Sequence, residues 1–181
     1  RIPHSGDSVN LKLLGMRDFF FTAGAIIQEN SGQTFRIRPR LLFDGQPVTE
    51  YRFDDLSLYK GTIDSIPMAL EGNWFFWDRA LTYLRNRHAD RTVELSFALE
   101  RNGTAIDGYR FLESCIFLLA DDWETGHDSR YFGPIPLSRV RGTVAAVVWS
   151  FDRQAGRWPG RPRIGRIGRF IRARGLLREK G

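Results

Sequence analysis

The sequence predicts a mostly β fold with two inserted helices, α+β by content, and three patterns carry that prediction. Val93, Leu95, Phe97 and Leu99 alternate with Glu94, Ser96, Ala98 and Glu100, the period of a half-buried strand. Asp44-Gly45 and Asn102-Gly103 each follow a strand-like run, the signal of a tight two-residue hairpin. Residues 16–30 and 73–88 instead repeat their apolar positions at helical spacing. A chain of 181 residues that is 42% hydrophobic suits one domain with an ample core.

In chain order, Arg1 to Leu14 reads as a strand entering the core, Val9, Leu11 and Leu13 alternating with Asn10 and Lys12 behind a Gly6-Asp7 turn. Met16, Phe19, Phe20, Ala23, Ile26 and Ile27 then share one helix face, and Ser31-Gly32 ends that helix. Phe35 to Phe43 is a strand interrupted by Pro39, and Asp44-Gly45 turns it into Val48 to Tyr59. Asn73 is placed to cap a second helix, with Trp74, Trp77, Leu81 and Leu84 on one face as core; Arg85, Arg87 and His88 suit its C-terminal dipole. A short repeat joins the two halves: Asp44-Gly45, Val48 and Tyr51-Arg52-Phe53 recur 58 residues later as Asn102-Gly103, Ile106 and Tyr109-Arg110-Phe111. Two hairpins of similar construction are its physical content, at a period outside the known solenoids.

Charge sits at one end. From Arg153 onward nine Arg and Lys180 face Glu179 alone, a net of +9, which leaves −3 for residues 1–152 of a chain total of +6. Residues 153–181 therefore form a basic tail, and residues 1–152 the folded domain. Ile164, Ile167, Phe170 and Ile171 recur in the tail at spacings of three and four between arginines, an amphipathic pattern weakened by Gly165 and Gly168. Three readings of such a tail compete: a solvated basic tail, a contact with anionic lipid through Trp158, Arg166, Arg169 and Phe170, and a nucleic-acid arm.

Other chemistry is thinly represented. One cysteine, Cys115, allows no internal disulfide, and His4, His88 and His127 are scattered, so no zinc spacing exists and no cofactor is implied. No apolar run approaches the roughly 18 residues of a membrane span. The Gly-rich run near Gly165 and Gly168 lacks the preceding strand that a dinucleotide site requires. His127, Asp128 and Ser129 are adjacent on one segment and cannot point at one another as a relay.

The chemistry concentrates between two apolar runs, Phe111 to Ala120 and Thr143 to Trp149, both of strand composition. Between them lie Asp121, Asp122, Glu124, His127, Asp128 and Arg130, polar groups set on a loop that Gly126, Gly133, Pro134 and Pro136 should keep ordered. The run Asp121 to Gly133, followed by Pro136 and Gly142, resembles the C-terminal signature of the bacterial type I signal peptidases, in register at Asp121, Asp128, Ser129, Arg130, Gly133 and Pro136. Two positions depart from that signature. Its opening Gly is Ala120 here, and the Ser two residues before the Asp-Ser-Arg triplet is Gly126, which removes a hydroxyl that in the family orients the catalytic lysine.

The resemblance implies a signal-peptidase-like β fold with helical insertions near 16–30 and 73–88. It also implies a membrane-bound serine endopeptidase with a serine nucleophile and a lysine base, acting on the signal peptides of exported preproteins. The implied location is the outer, periplasmic face of the cytoplasmic membrane. Pro3, Gly6, Val9 and Leu11 resemble the family strand that follows the lysine-bearing segment, so both reactive groups are expected before Arg1. This chain would then supply the supporting wall: Ala120, Asp121, Gly126, Asp128, Ser129 and Arg130, with Asp128 and Arg130 as an ion pair. A weaker alternative takes Ser5-Gly6-Asp7-Ser8-Val9 as the nucleophile motif, with Ser8 attacking and Lys60 as base. Two other classes stay open: a non-catalytic peptidase-like binding module, and a nucleic-acid or anionic-surface binder working through the tail.

Overall fold

The computed structural model describes residues 2–56, 59–121, 124, 126–142, 144–152 and 161–170. They fall into two compact units, Arg1–Arg139 and Val140–Gly181.

The first unit is built on a four-stranded antiparallel sheet. β1 (Ser8–Asn10) leads through a 3-10 turn into α1 (Met16–Glu29), then β2 (Phe35–Phe43), β3 (Gln46–Val48), β4 (Arg52–Leu56) and β5 (Tyr59–Thr62). After α2 (Met68–Glu71) come α3 (Trp74–Arg87), β6 (Val93–Arg101), β7 (Thr104–Ile106) and β8 (Gly108–Arg110). The central sheet runs β3-β2-β6-β7, and β1-β8 and β4-β5 form separate ribbons. Ile37, Leu41, Phe43, Val93 and Leu99 point inward as core, joined by Phe19, Phe20 and Ile26 of α1 and Phe76, Trp77 and Leu84 of α3. Arg36, Arg38, Arg40, Glu94 and Glu100 take the alternate positions, where Arg38 Nε meets Glu100 at 3.1 Å.

The repeat is larger than its sequence signal. With the same offset of 58 residues, α1 maps onto α3, β2 onto β6 and β3 onto β7, each at identical length. β2 and β6 pair around Pro39↔Phe97, themselves equivalent positions, so an approximate two-fold axis passes through that pair. Both turns use the same device. Asp44 (φ 52°) and Asn102 (φ 51°) precede Gly45 (φ 74°) and Gly103 (φ 81°), the left-handed pairs that a twisted two-residue hairpin needs. Asp44 N donates to the Thr92 carbonyl and Thr92 N to Asp44 Oδ1, each at 2.9 Å; Asn102 and Thr34 repeat the exchange at 2.8 and 3.2 Å. Phe19 and Trp77, also equivalent, both pack on Phe97, at 5.8 and 5.1 Å between ring centroids.

Four expectations are corrected. Pro39 does not interrupt its strand: β3 covers only Leu41–Phe43 of β2, so the missing N–H faces an unpaired stretch of edge. The neighbouring Ile37 N on that edge donates to buried Glu71 Oε1 at 2.9 Å, which is how α2 covers it. The first strand ends at Asn10, whose side chain accepts from Lys12 N and bends the chain into a 3-10 turn, so Leu13 is 81% exposed and not core. The apolar run before the signature contributes only the two-residue β9 (Cys115–Ile116). The run after it supplies β11 (Ala146–Val147), with Val144, Val148 and Trp149 exposed.

Between these, α4 (Ser129–Phe132) and β10 (Ile135–Pro136) complete the first unit, β10 pairing with β9. In the second unit β11 pairs with β14 (Arg169–Phe170), and β12 (Phe151–Asp152) with β13 (Arg161–Pro162). The described part of the tail is therefore extended with one 3-10 turn, Ile164–Arg166, within the amphipathic spacing that Gly165 and Gly168 weaken as a helix. Gly168 at φ 74° is the local reason, a left-handed residue that redirects the chain into β14.

Candidate functional site

The site is assembled by the segment from Leu118 to Gly133. Asp128 is the N-cap of α4 and is 3% exposed. Its Oδ2 accepts from Ala120 N at 2.8 Å and its Oδ1 from Arg130 N at 3.0 Å; Arg130 Nε lies 2.9 and 3.1 Å from the two oxygens. The Arg130 guanidinium, with the two amides, holds this carboxyl well below the usual carboxylate range, and the pairing raises Arg130 in return. A buried carboxylate with every acceptor direction occupied is a fixed negative post and not a proton carrier.

Ser129 is fully buried. Its N donates to the Leu118 carbonyl and its Oγ accepts from Leu118 N, both at 3.0 Å. The hydroxyl thus stands in for a backbone carbonyl, and Leu118 finishes a strand that has no strand partner beyond Ile116. That is why the chain from Phe111 to Ala120 shows strand composition but little strand. With the Ser129 hydroxyl engaged by an amide and the Asp128 carboxylate by Arg130, these three neighbours form no relay, and the His127 ring lies tilted against Tyr131, 5.2 Å between centroids.

The N-terminal segment runs beside this one. Cys115 N donates to the Pro3 carbonyl at 2.9 Å, Ser5 N to Ser114 Oγ at 3.1 Å and Gly6 N to the Phe111 carbonyl at 2.8 Å, so Pro3 to Asn10 follows residues 108–115. Burial pushes the Cys115 thiol up to about 11, which leaves it a core residue and not a nucleophile.

Two grooves flank the segment. One of about 620 Å3 is lined by Ser8, Val9, Arg17, Phe21, Phe117 and Pro134. The other, about 850 Å3, lies between α1, α3 and α4, with Phe20, Phe75, Arg79, His127, Tyr131 and Phe132 on its walls.

Ala120, Asp128, Ser129 and Arg130 come together in one network; Asp121 is exposed and Gly126 half-buried beside it. Ser8 and Lys60 do not meet: Ser8 is exposed on the β1-β8 ribbon, Lys60 is exposed on the β4-β5 ribbon, and no hydrogen bond joins them. Arg166, Arg169 and Phe170 are exposed in the second unit, and Trp158 falls outside the described residues. Sequence reading did not place Trp74 at the site, although its indole N–H donates to the Arg130 carbonyl at 3.4 Å. Its helical spacing assigned it to the core stripe, and no local signal marks which face of a stripe meets a distant loop. Among the described residues no group of His, Cys, Asp and Glu could hold a metal ion, and no helix is long and apolar enough to cross a membrane.

Comparison with known proteins gives the family. Signal peptidase I of Buchnera aphidicola subsp. Acyrthosiphon pisum (strain APS) is 36% identical over 52 residues, 29% of this chain and 17% of that protein, so the matched segment is a small part of the relative. No solved structure matches the chain. The family model described as signal peptidase, peptidase S26, matches residues 32–149, which include both the repeated hairpins and the Asp128–Arg130 network. The chain belongs to the signal peptidase S26 family.

Proposed function

We propose that this chain is the scaffold part of a type I signal peptidase, a membrane-bound serine endopeptidase that removes signal peptides from exported preproteins, with nucleophile and base upstream of Arg1. The observation that carries the reading is the buried Asp128–Arg130 brace tied to the Ala120 amide, in the register where family members carry Asp-Ser-Arg. In such an enzyme a serine Oγ attacks the scissile carbonyl, and a neutral lysine in an apolar pocket accepts the proton and returns it to the leaving amine. Residues 118–133 would wall that pocket: Asp128 and Arg130 cancel each other's charge, so neither stabilises the protonated lysine. The groove lined by His127, Tyr131 and Phe132 runs beside the brace and offers space for an extended peptide.

Cleavage of a preprotein substrate by the full-length enzyme tests this. Asp128→Ala and Arg130→Ala should each lower both turnover and melting temperature, because removing one partner leaves the other uncompensated. Wild-type turnover and wild-type melting in both variants would end the reading.

The second unit supports the membrane side of the proposal. Trp149 and Phe151 stack at 6.2 Å, and Trp149, Ile164 and Phe170 are 67, 77 and 80% exposed among Arg163, Arg166 and Arg169. Aromatics beside guanidinium groups suit an interface with anionic lipid, each arginine contributing about 1 kcal/mol. Sedimentation with phosphatidylglycerol vesicles, lost on removing residues 153–181, is the expected result. Preference for DNA over those vesicles would favour the nucleic-acid reading.

A further inference from the structure

We propose that Trp74, the first residue of α3, is a positioning residue for the Asp128–Arg130 brace. The inference rests on the reading of that brace as the wall of a proteolytic centre. A one-turn helix such as α4 cannot hold its own orientation, because forming a first turn fixes several residues for a single hydrogen bond. The ion pair joins residues two apart, so it sets their mutual geometry and not their aim. On one side the Ala120 amide and the Leu118–Ser129 exchange tie the segment to β9. On the other side it rests on the repeated unit, and there Trp74 makes a polar contact.

Trp74 Nε1 donates to the Arg130 carbonyl at 3.4 Å. Its ring stacks on Phe75 at 3.8 Å; Phe75 reaches Tyr131 at 5.3 Å, and Tyr131 reaches His127 at 5.2 Å. Arg17 packs its guanidinium against both Phe21 (5.2 Å) and Trp74 (5.6 Å), which fixes the indole from the α1 side. The backbones approach closely at the same place. A Cβ on Gly24 would lie 3.0 Å from the Phe132 carbonyl oxygen, and one on Gly133 2.9 Å from Phe21 Cα.

The internal symmetry separates this role from ordinary core packing. Trp77, the fully buried tryptophan of α3, has the repeat-equivalent aromatic Phe19, and its N–H donates at 3.0 Å to the Glu71 carbonyl in the adjoining α2, away from the signature segment. Trp74 corresponds to Met16 and Phe75 to Arg17, so the two-fold is broken where the signature segment sits. The second copy thus places an indole N–H against that segment at a position where the first copy has a methionine.

The test uses the full-length enzyme, a signal-peptide substrate and two variants. Trp74→Phe keeps a ring and deletes the N–H; Trp74→Ala deletes both. Turnover should fall about 10-fold in Trp74→Ala and several-fold in Trp74→Phe, with KM within about twofold of wild type, since a displaced wall misaligns reacting groups without weakening binding. Solvent exchange of the Arg130 Nε–H, read by NMR on the 181-residue chain, should accelerate in Trp74→Phe while its melting temperature holds. With an active wild type, unchanged turnover in folded Trp74→Phe overturns the proposal, whatever the Arg130 signal does. With an inactive wild type the peptidase reading fails on its own, and the exchange rate then decides: unchanged protection overturns the positioning role and faster exchange supports it.

Discussion

At the scale of single residues, Asp128 concentrates most of what is specific here. It caps a helix, receives two backbone amides and anchors a guanidinium while almost wholly buried. Because its folded-state pKa lies below the unfolded value of about 3.9, the stabilisation is fully present above that value and is lost as pH falls toward the folded pKa. Asp128→Asn should therefore melt well below wild type at pH 7, with the gap narrowing in acid as the wild-type carboxylate becomes protonated; a gap constant from pH 7 to pH 2 would contradict the assignment. The residue types of this network were legible in the sequence because they sit within eleven positions, Leu118 excepted as an apolar residue with no polar signal. Ser129 shows the limit: as a letter it looked like part of a polar loop, and its work is to imitate a carbonyl for Leu118 N.

Elements with strong local codes were readable, and those that depend on distant partners were not. Both long helices follow their period, and Asn73 caps the second by accepting from Phe75 N and Phe76 N, a cap worth about 1 kcal/mol. Asp44-Gly45 and Asn102-Gly103 turn where expected, since few dipeptides tolerate two left-handed residues in succession. Leu13 and the second apolar run misled, because alternation says nothing about whether a partner strand arrives. Two glycines at positive φ, Gly45 in a hairpin turn and Gly133 at the end of α4, should differ in cost. Gly45→Ala meets open space and should lose about 1–2 kcal/mol from backbone strain alone. Gly133→Ala combines a collision with the Phe21 backbone and a conformation, φ 83° with ψ −169°, that is essentially glycine's alone, and should cost more by at least about 1 kcal/mol in denaturant melts. Equal losses would mean that the chain shifts to relieve both.

For the first unit as a whole, the duplicated helix-and-hairpin arrangement says where the inserted helices sit. The sequence reading of two helices inserted into a mostly β domain holds, and in the structure α1 meets both β6 of the central sheet and β10 beyond the signature segment. Only the hairpin match was visible in the letters, because Phe19 and Trp77 or Ile26 and Leu84 occupy equivalent sites with different side chains. Core positions constrain volume and polarity more than identity, so a duplicated backbone outlives the resemblance between its copies.

The pairing of β1 with β8 has a kinetic consequence. Val9 lies opposite Tyr109, so this ribbon closes a loop over more than two thirds of the first unit, whereas each hairpin closes over two residues. Entropy disfavours forming so distant a pair before the intervening sheet exists. Val9→Ala should accordingly leave the refolding rate near wild type and accelerate unfolding, the signature of a contact made after the rate-limiting barrier. The thread leading in from Pro3 would be the last part of this unit to lock and the first to come loose.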